Sequence, residues 1–303
     1  GMRYLGTAFL GGRYVRHGLP RGHDAFAASL SSDPGADRVR GWNVKGKFMY
    51  LTLEEAEGDP EDRLRSIWVT LGMTGRFLHD RHPGREKARW SMEFAGGDGA
   101  PRRIYYHDTR NFGTLRYSLS RRELEEKLAS LGPDLLGDEM DAAQFVALAR
   151  KGRASSRNVC KFLMDQSKLA GVGNYLLAEG LYAARVDPFA ALGEIDDETL
   201  ATLFACLRDI ARKSYAAQGV TRPKGGTFRT VDGEEGGYQF QLQCYGRDLC
   251  PDGQRVIRET DGPHGRTIWY TERQLLVPRD RRDAGGLAPA PPAAAAERPA
   301  PPS

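Results

Sequence analysis

Metal-ligand spacing is what the sequence most clearly lacks. Its four cysteines, Cys160, Cys206, Cys244 and Cys250, form no CxxC pair, so neither a zinc site nor a disulfide framework is indicated. His17, His23, His79, His82, His107 and His264 show no ligand spacing either, and HExxH is absent. No metal and no other cofactor is therefore expected. Absent too is any apolar run near the roughly 18–20 residues of a membrane span, and the first residues carry no signal-peptide pattern. A membrane partner is not expected, and a reduced compartment is. Nor does one sign of charge dominate: Lys+Arg number 44 against 40 Asp+Glu, a net charge of +4. That balance permits a nucleic-acid partner without demanding one.

The 303 residues present leave room for two or three compact units. Up to about Tyr117, short runs rich in β-branched and aromatic residues alternate with Gly and Pro breaks. They are Gly46–Leu53, Ser66–Phe77, Arg89–Phe94, Arg103–Tyr106 and Gly113–Leu119, and they predict an antiparallel sandwich or barrel. Helices are predicted at Asp141–Lys151, Val159–Ser167, Asn174–Arg185 and Asp197–Ala217. The last begins on acidic residues and ends near Arg212 and Lys213, in agreement with the helix dipole. Thr221–Gly237 is polar and Gly-rich and reads as a loop. Short β runs at Tyr238–Tyr245, Arg255–Glu259 and Arg266–Thr271 follow, and the Pro/Ala tail beyond Pro278 is expected to be disordered.

The strongest local motif is Leu169-Ala170-Gly171-Val172-Gly173-Asn174-Tyr175 between two predicted helices. Its glycines allow a tight turn, and the free N–H groups at the next helix start can hold an anion. A plain N-capped helical hairpin would have the same pattern. Leu163-Met164-Asp165-Gln166 precedes it, and Ala178-Glu179-Gly180-Leu181-Tyr182 with Arg185-Val186-Asp187-Pro188 follows it. Together these segments resemble the helix-two-turn-helix of the Fpg/Nei family of DNA glycosylases. The resemblance implies that the turn grips the DNA backbone beside a lesion, with Asn174 on phosphate. Family members often carry a phosphate-binding lysine where this chain has Cys160. Lys161, one residue out of register, is the candidate substitute.

Other segments extend the resemblance. Val44-Lys45-Gly46-Lys47-Phe48 is similar to the family's Gly-Lys at a strand start, which makes Lys47 the candidate catalytic lysine; by itself it would read as a solvated lysine. Leu71-Gly72-Met73-Thr74-Gly75 and Asp108-Thr109-Arg110-Asn111-Phe112-Gly113 resemble the two loops that fill the void left by a flipped nucleotide. A thioether and an aromatic wedge suit the gap, and a guanidinium suits the orphan base. Met73, Arg110 and Phe112 are thus the candidate void-filling residues, although Met and Phe alone would read as core. Gln241–Arg247 and Gly265–Tyr270 fall where most members carry a four-cysteine zinc finger. Only Cys250 lies near the first ligand pair, with Tyr270 and Arg273 near the second, too few ligands for tetrahedral zinc. The segment resembles the zincless finger of Nei-like enzymes, which puts Arg266 on lesion-flanking phosphate. Packing of Tyr238, Phe240, Tyr245, Ile257, Ile268 and Trp269 would replace the metal.

Family members open on Pro-Glu and a helix, and the proline amine attacks C1′ of the damaged nucleotide. Here Gly1–Leu5 leads into Phe9–Tyr14, which reads as the first strand, so an N-terminally truncated chain with impaired base excision is expected. The expected fold is α+β, with a β-sandwich at 1–125, a helix-two-turn-helix domain at 126–225, a zincless β-hairpin finger at 226–278 and a tail at 279–303. The resemblance implies a glycosylase/AP lyase acting on oxidised bases, pyrimidines above all, through an imine. A paralogue that binds damaged DNA without turnover is the alternative. The implied partner is double-stranded DNA with an oxidised base or abasic site, bound by a monomer in the nucleus, or in the nucleoid or cytoplasm of a bacterial or viral host.

Overall fold

Alternation in the first third does build strands. The computed structural model describes residues 1–303 except 33–34, 56–59, 98, 138, 219–241 and 277–303. Two four-stranded antiparallel sheets face each other. One has the order β1 (Arg3–Phe9), β6 (Trp90–Ala95), β7 (Pro101–His107), β5 (Arg76–His79). The other runs β2 (Val39–Lys45), β3 (Phe48–Leu53), β4 (Arg63–Thr70), β8 (Thr114–Ser120). Leu51, Ile67, Val69 and Leu115 from the second sheet meet Tyr4, Trp90, Met92 and Tyr106 from the first, the packing of a sandwich. After β1 come a short turn of helix α1 (Arg13–Arg16) and α2 (His23–Ser32), whose Phe26 is buried against Tyr4 and Tyr117. Phe9–Tyr14 is therefore not the first strand. The strand ends at Phe9, and Gly12 turns the chain at φ 76°.

Helix α3 (Arg121–Ala129) starts on a Ser120 cap and lays Leu124 into a small core with Phe48, Leu64 and Trp68. A domain boundary at residue 125 would cut this helix, which packs on the sandwich. The helical part comprises α4 (Ala142–Arg150), α5 (Val159–Leu163), α6 (Asn174–Ala183) and α7 (Asp197–Ala216). Asp141 and Gln144 form a capping box at α4. Gly180 of α6 lies so near α7 that a Cβ there would come within 2.4 Å of Leu207. Helix α5 stops earlier than the Val159–Ser167 pattern predicts, because Asp165 turns inward to the Ser167 N–H (3.0 Å) and to Arg157 (2.9 Å).

The C-terminal hairpin is β9 (Ile257–Glu259) paired with β10 (Ile268–Tyr270). Its inner face joins the helical domain: Leu242, Ile268 and Tyr270 are buried in the helical core with Leu177, Leu181 and Leu207. Of the predicted run Tyr238–Tyr245, the described part is not a strand. Its N–H groups at Gln243, Cys244 and Tyr245 instead donate to the buried Glu179 carboxylate of α6, at 2.8, 2.8 and 2.6 Å. Tyr238, Phe240, the polar segment 221–237, the boundary at 225 and the tail from 279 lie outside the described residues. The α+β architecture of sandwich, helical domain and small hairpin is the one expected.

Candidate nucleic-acid interface

Lys47 owes its position to a glycine. The β2–β3 turn has Gly46 at φ 58°, as the first position of a II′ hairpin turn requires. Gly46 also touches the Gly171 turn, where an added Cβ would lie 2.6 Å from the Gly171 nitrogen. Its N–H donates to Asp134 Oδ2 at 2.7 Å, tying the hairpin tip to the helical domain. Lys47 therefore reaches over Gly173, and its Nζ donates to the Val172 carbonyl. Gln166 Nε2 donates to the same carbonyl at 3.1 Å. Burial, with positive Arg266 beside it, brings the Lys47 ammonium down to about 8.

Asn174 begins α6, and the finger holds its amide on both sides. Nδ2 donates to the Thr267 carbonyl at 2.8 Å, and Oδ1 lies 2.8 Å from His264 Nε2. Oδ1 can only accept, so His264 carries its proton on Nε2. Burial first, then Arg266, lower the His264 pKa. Among the described residues the second Asn174 side-chain N–H makes no hydrogen bond and can donate to an anion. Arg266 is exposed at the tip of the β9–β10 turn. Lys47, Asn174 and Arg266 thus converge, and His264 and Thr267 join them. Thr267 lies in the quoted Gly265–Tyr270 segment without a role assigned to it, and His264 stands just before that segment. Cys160 is buried in the helical core, where its thiol donates to the Pro188 carbonyl at 3.2 Å. Lys161 is exposed on α5, and among the described residues no hydrogen bond joins its side chain to Asn174, whose amide is held by Thr267 and His264.

The two sandwich loops form one body. A Cβ on Gly72 would lie 2.8 Å from the Gly113 nitrogen, so the loops touch through backbone. The fully buried Asp108 carboxylate gathers the rest. Thr74 Oγ1 donates to Oδ1, the Gly113 N–H to Oδ2 at 2.8 Å and the Arg110 N–H to Oδ1 at 3.2 Å, while the Tyr106 hydroxyl shares its one proton between Oδ2 at 3.2 Å and the Leu71 carbonyl at 2.9 Å. Burial pushes the Asp108 carboxyl up, but these four donors outweigh it and hold the pKa below 3.8. On this base Arg110 lies 4.9 Å from the Phe112 ring centre and 3.5 Å from the Met73 sulfur. Met73 is 54% and Phe112 50% exposed, which removes the core reading of both. Sequence reasoning missed Asp108 as the organiser, although it lies in a quoted motif.

In the finger, the places where the resemblance implies zinc ligands hold a different chemistry. Asp252 accepts from Cys250 Sγ at 2.6 Å, from Arg273 at 2.7 Å and from Tyr182 OH at 3.3 Å. Tyr270 is buried, with its hydroxyl on Glu259 at 3.0 Å. A guanidinium and a phenol already bonded to carboxylates do not fit a zinc ion. Tyr245 and Trp269 pack at 4.4 Å beside this cluster.

A β-sandwich, a helix-two-turn-helix domain and a docked hairpin define the class of helix-two-turn-helix DNA-repair folds. The model of the formamidopyrimidine-DNA glycosylase N-terminal domain matches residues 13–115, and that of the H2TH domain of the same enzymes matches 131–224. A formamidopyrimidine-DNA glycosylase of Deinococcus radiodurans is 32% identical over 215 residues, 69% of this chain and 71% of the relative. One from Thermus thermophilus is 32% identical over 209 residues, 68% of this chain and 70% of the relative. The crystal structure of MutM (Fpg) from Thermus thermophilus superimposes with a TM-score of 0.69 at 26% identity, over 90% of this chain and 91% of that one. A Lactococcus lactis Fpg in complex with abasic-site DNA shares the fold at a TM-score of 0.70 and 20% identity, covering 91% and 93%. The chain belongs to the formamidopyrimidine-DNA glycosylase family.

Proposed function

We propose that the protein is a DNA glycosylase with AP-lyase activity on oxidised bases, and that Lys47 supplies an amine to the sugar. What carries the reading is Lys47: an amine brought to about 8, beside a helix start and an arginine suited to phosphate. Deprotonated Nζ adds to the C1′ aldehyde of an abasic sugar, and loss of water gives an imine. Removal of a C2′ proton then lets the 3′ C–O bond break, and the 3′-phosphate leaves with the electron pair. Asn174 and Arg266 hold the backbone in this scheme, with Lys161 as a more distant phosphate contact. Met73, Arg110 and Phe112 occupy the void and the orphan base. The relatives' name speaks for formamidopyrimidines as substrates, and the finger's resemblance to zincless Nei-like enzymes extends the proposal to oxidised pyrimidines.

Borohydride trapping tests this reading on duplexes with a preformed abasic site, a formamidopyrimidine or an oxidised pyrimidine. A covalent complex at the abasic site is expected, and Lys47→Ala should remove it together with strand cleavage. Tight binding with no trapped complex would instead assign a damaged-DNA-binding protein without turnover.

A further inference from the structure

Beside the proposed site lies a cationic spot that the reading above does not use. Arg76 of β5 and His107 of β7 are directly opposed in antiparallel register, so their side chains share one face. Phe77 and Tyr106, the next pair, point into the sandwich core, which puts Arg76 and His107 on the outer face. His107 is only 8% exposed. Its Nδ1 and the Arg76 Nε are both buried with no hydrogen-bond partner among the described residues. A buried donor left in that state costs about 1–3 kcal/mol, so an acceptor belongs there.

Charge points the same way. Burial first, then the charges of Arg76 and Arg89, lower the His107 pKa, while Asp108 raises it and His82 lowers it further. Asp108 attracts the imidazole by charge alone, because its oxygens accept from Thr74, Tyr106, Arg110 and Gly113 and not from His107. Arg89 is spent on the carbonyls of Asp108 at 2.8 Å and Thr109 at 3.3 Å. His82 Nδ1 accepts from the Gly84 N–H at 2.9 Å. Among the described residues Arg76 forms no ion pair, and its charge holds the neighbouring His107 imidazole toward the neutral form. Arg76 directly follows the loop that carries Met73, and His107 directly precedes the loop that carries Arg110 and Phe112.

We propose that Arg76 and His107 form a phosphate seat at the base of the two loops, taking a DNA backbone phosphate next to the inserted wedge. The seat rests on the reading of the loops as a DNA site. It holds the backbone without reading the base, so it acts on damaged and undamaged duplex alike. Bound phosphate favours the protonated imidazole, so binding through the seat tightens as pH falls through the His107 pKa in the complex.

The test measures duplex affinity against salt and pH for wild type, Arg76→Ala and His107→Gln, with thermal melting as a control on folding. Arg76→Ala should weaken both duplexes about tenfold and lower the magnitude of the salt slope by about one. His107→Gln should reduce the rise in affinity expected of wild type as pH falls from about 7.5 to 5.5. Unchanged affinity and slope in folded variants would overturn the seat, as would a loss confined to the abasic duplex. Trapping by the same variants at saturating DNA keeps the outcomes apart: if wild type traps and the variants bind normally, the seat fails while the enzyme reading stands. NMR titration of His107 in wild type needs no variant. A pKa rise with duplex alone supports a DNA phosphate, a rise with millimolar inorganic phosphate alone assigns free phosphate and overturns the DNA source, and no rise overturns the seat.

Discussion

Lys47 shows how one residue is tuned by its neighbours. Only the neutral amine attacks a carbonyl, so a lysine at its ordinary value is almost wholly idle at neutral pH. Burial over Gly173 and the charge of Arg266 bring it to about 8, where a useful fraction is neutral. Trapping on abasic DNA should therefore rise with pH to a plateau, with a midpoint near 8. Arg266→Ala removes a positive neighbour, so the lysine becomes more basic and the midpoint moves up. The same variant loses a phosphate contact and about 1.5–3 kcal/mol of binding. A pH–rate profile of single-turnover cleavage reads both effects, and an unmoved midpoint would take Arg266 out of the lysine's environment. At this scale the sequence was legible where a motif names a residue, as for Lys47 and Asn174. His264 was not legible, because its role comes from a 2.8 Å contact across ninety positions of chain. Cys160 shows the converse: its motif position marks DNA, yet its buried side chain marks core.

Elements matter most in the two loops proposed to fill the void, which one carboxylate joins. Met73→Ala, Arg110→Ala and Phe112→Ala should each impair capture of an abasic duplex more than binding of undamaged duplex. Asp108→Asn should impair it further, because an amide offers one acceptor oxygen where Thr74, Tyr106, Arg110 and Gly113 need two. The stability loss should be about 1–3 kcal/mol. The sign of its pH dependence follows from the depressed folded value. The carboxylate's contribution is complete above the ordinary 3.8 and is lost as pH falls through the lower folded pKa. Melting temperature against pH should therefore fall less steeply at acid pH in Asp108→Asn, and parallel curves would refute the assignment. Strands were legible from β-branched and aromatic runs between Gly and Pro breaks, as at β3 and β6. Helices α2 and α3 were not, because each buries a single large side chain, Phe26 or Leu124, in an otherwise polar or small-residue stretch.

For the whole molecule the question is what holds the finger against the helical domain, since Arg266, His264 and Thr267 reach the cleft from it. The hairpin has little apolar area of its own, and the resemblance led to an expectation of aromatic packing in place of a metal. The geometry adds a second device that sequence could not display: Glu179 of α6, buried, takes three backbone N–H groups from Gln243, Cys244 and Tyr245. Around Cys250, Asp252 collects its thiol together with Arg273 and Tyr182. If these bonds fix the finger, chelation should do nothing. Purified protein should hold zinc far below one ion per chain, and excess chelator should leave both melting temperature and abasic-DNA affinity unchanged. Glu179→Gln should do what chelation does not. Its amide turns a donor toward the Gln243 N–H, at a cost of about 1–3 kcal/mol, and frees the finger from α6. Arg266 then loses its fixed place, so DNA affinity should fall in step with stability. Recovery of that affinity by Glu179→Gln on adding zinc, or stoichiometric zinc in the wild type, would show that a metal and not the carboxylate organises the finger.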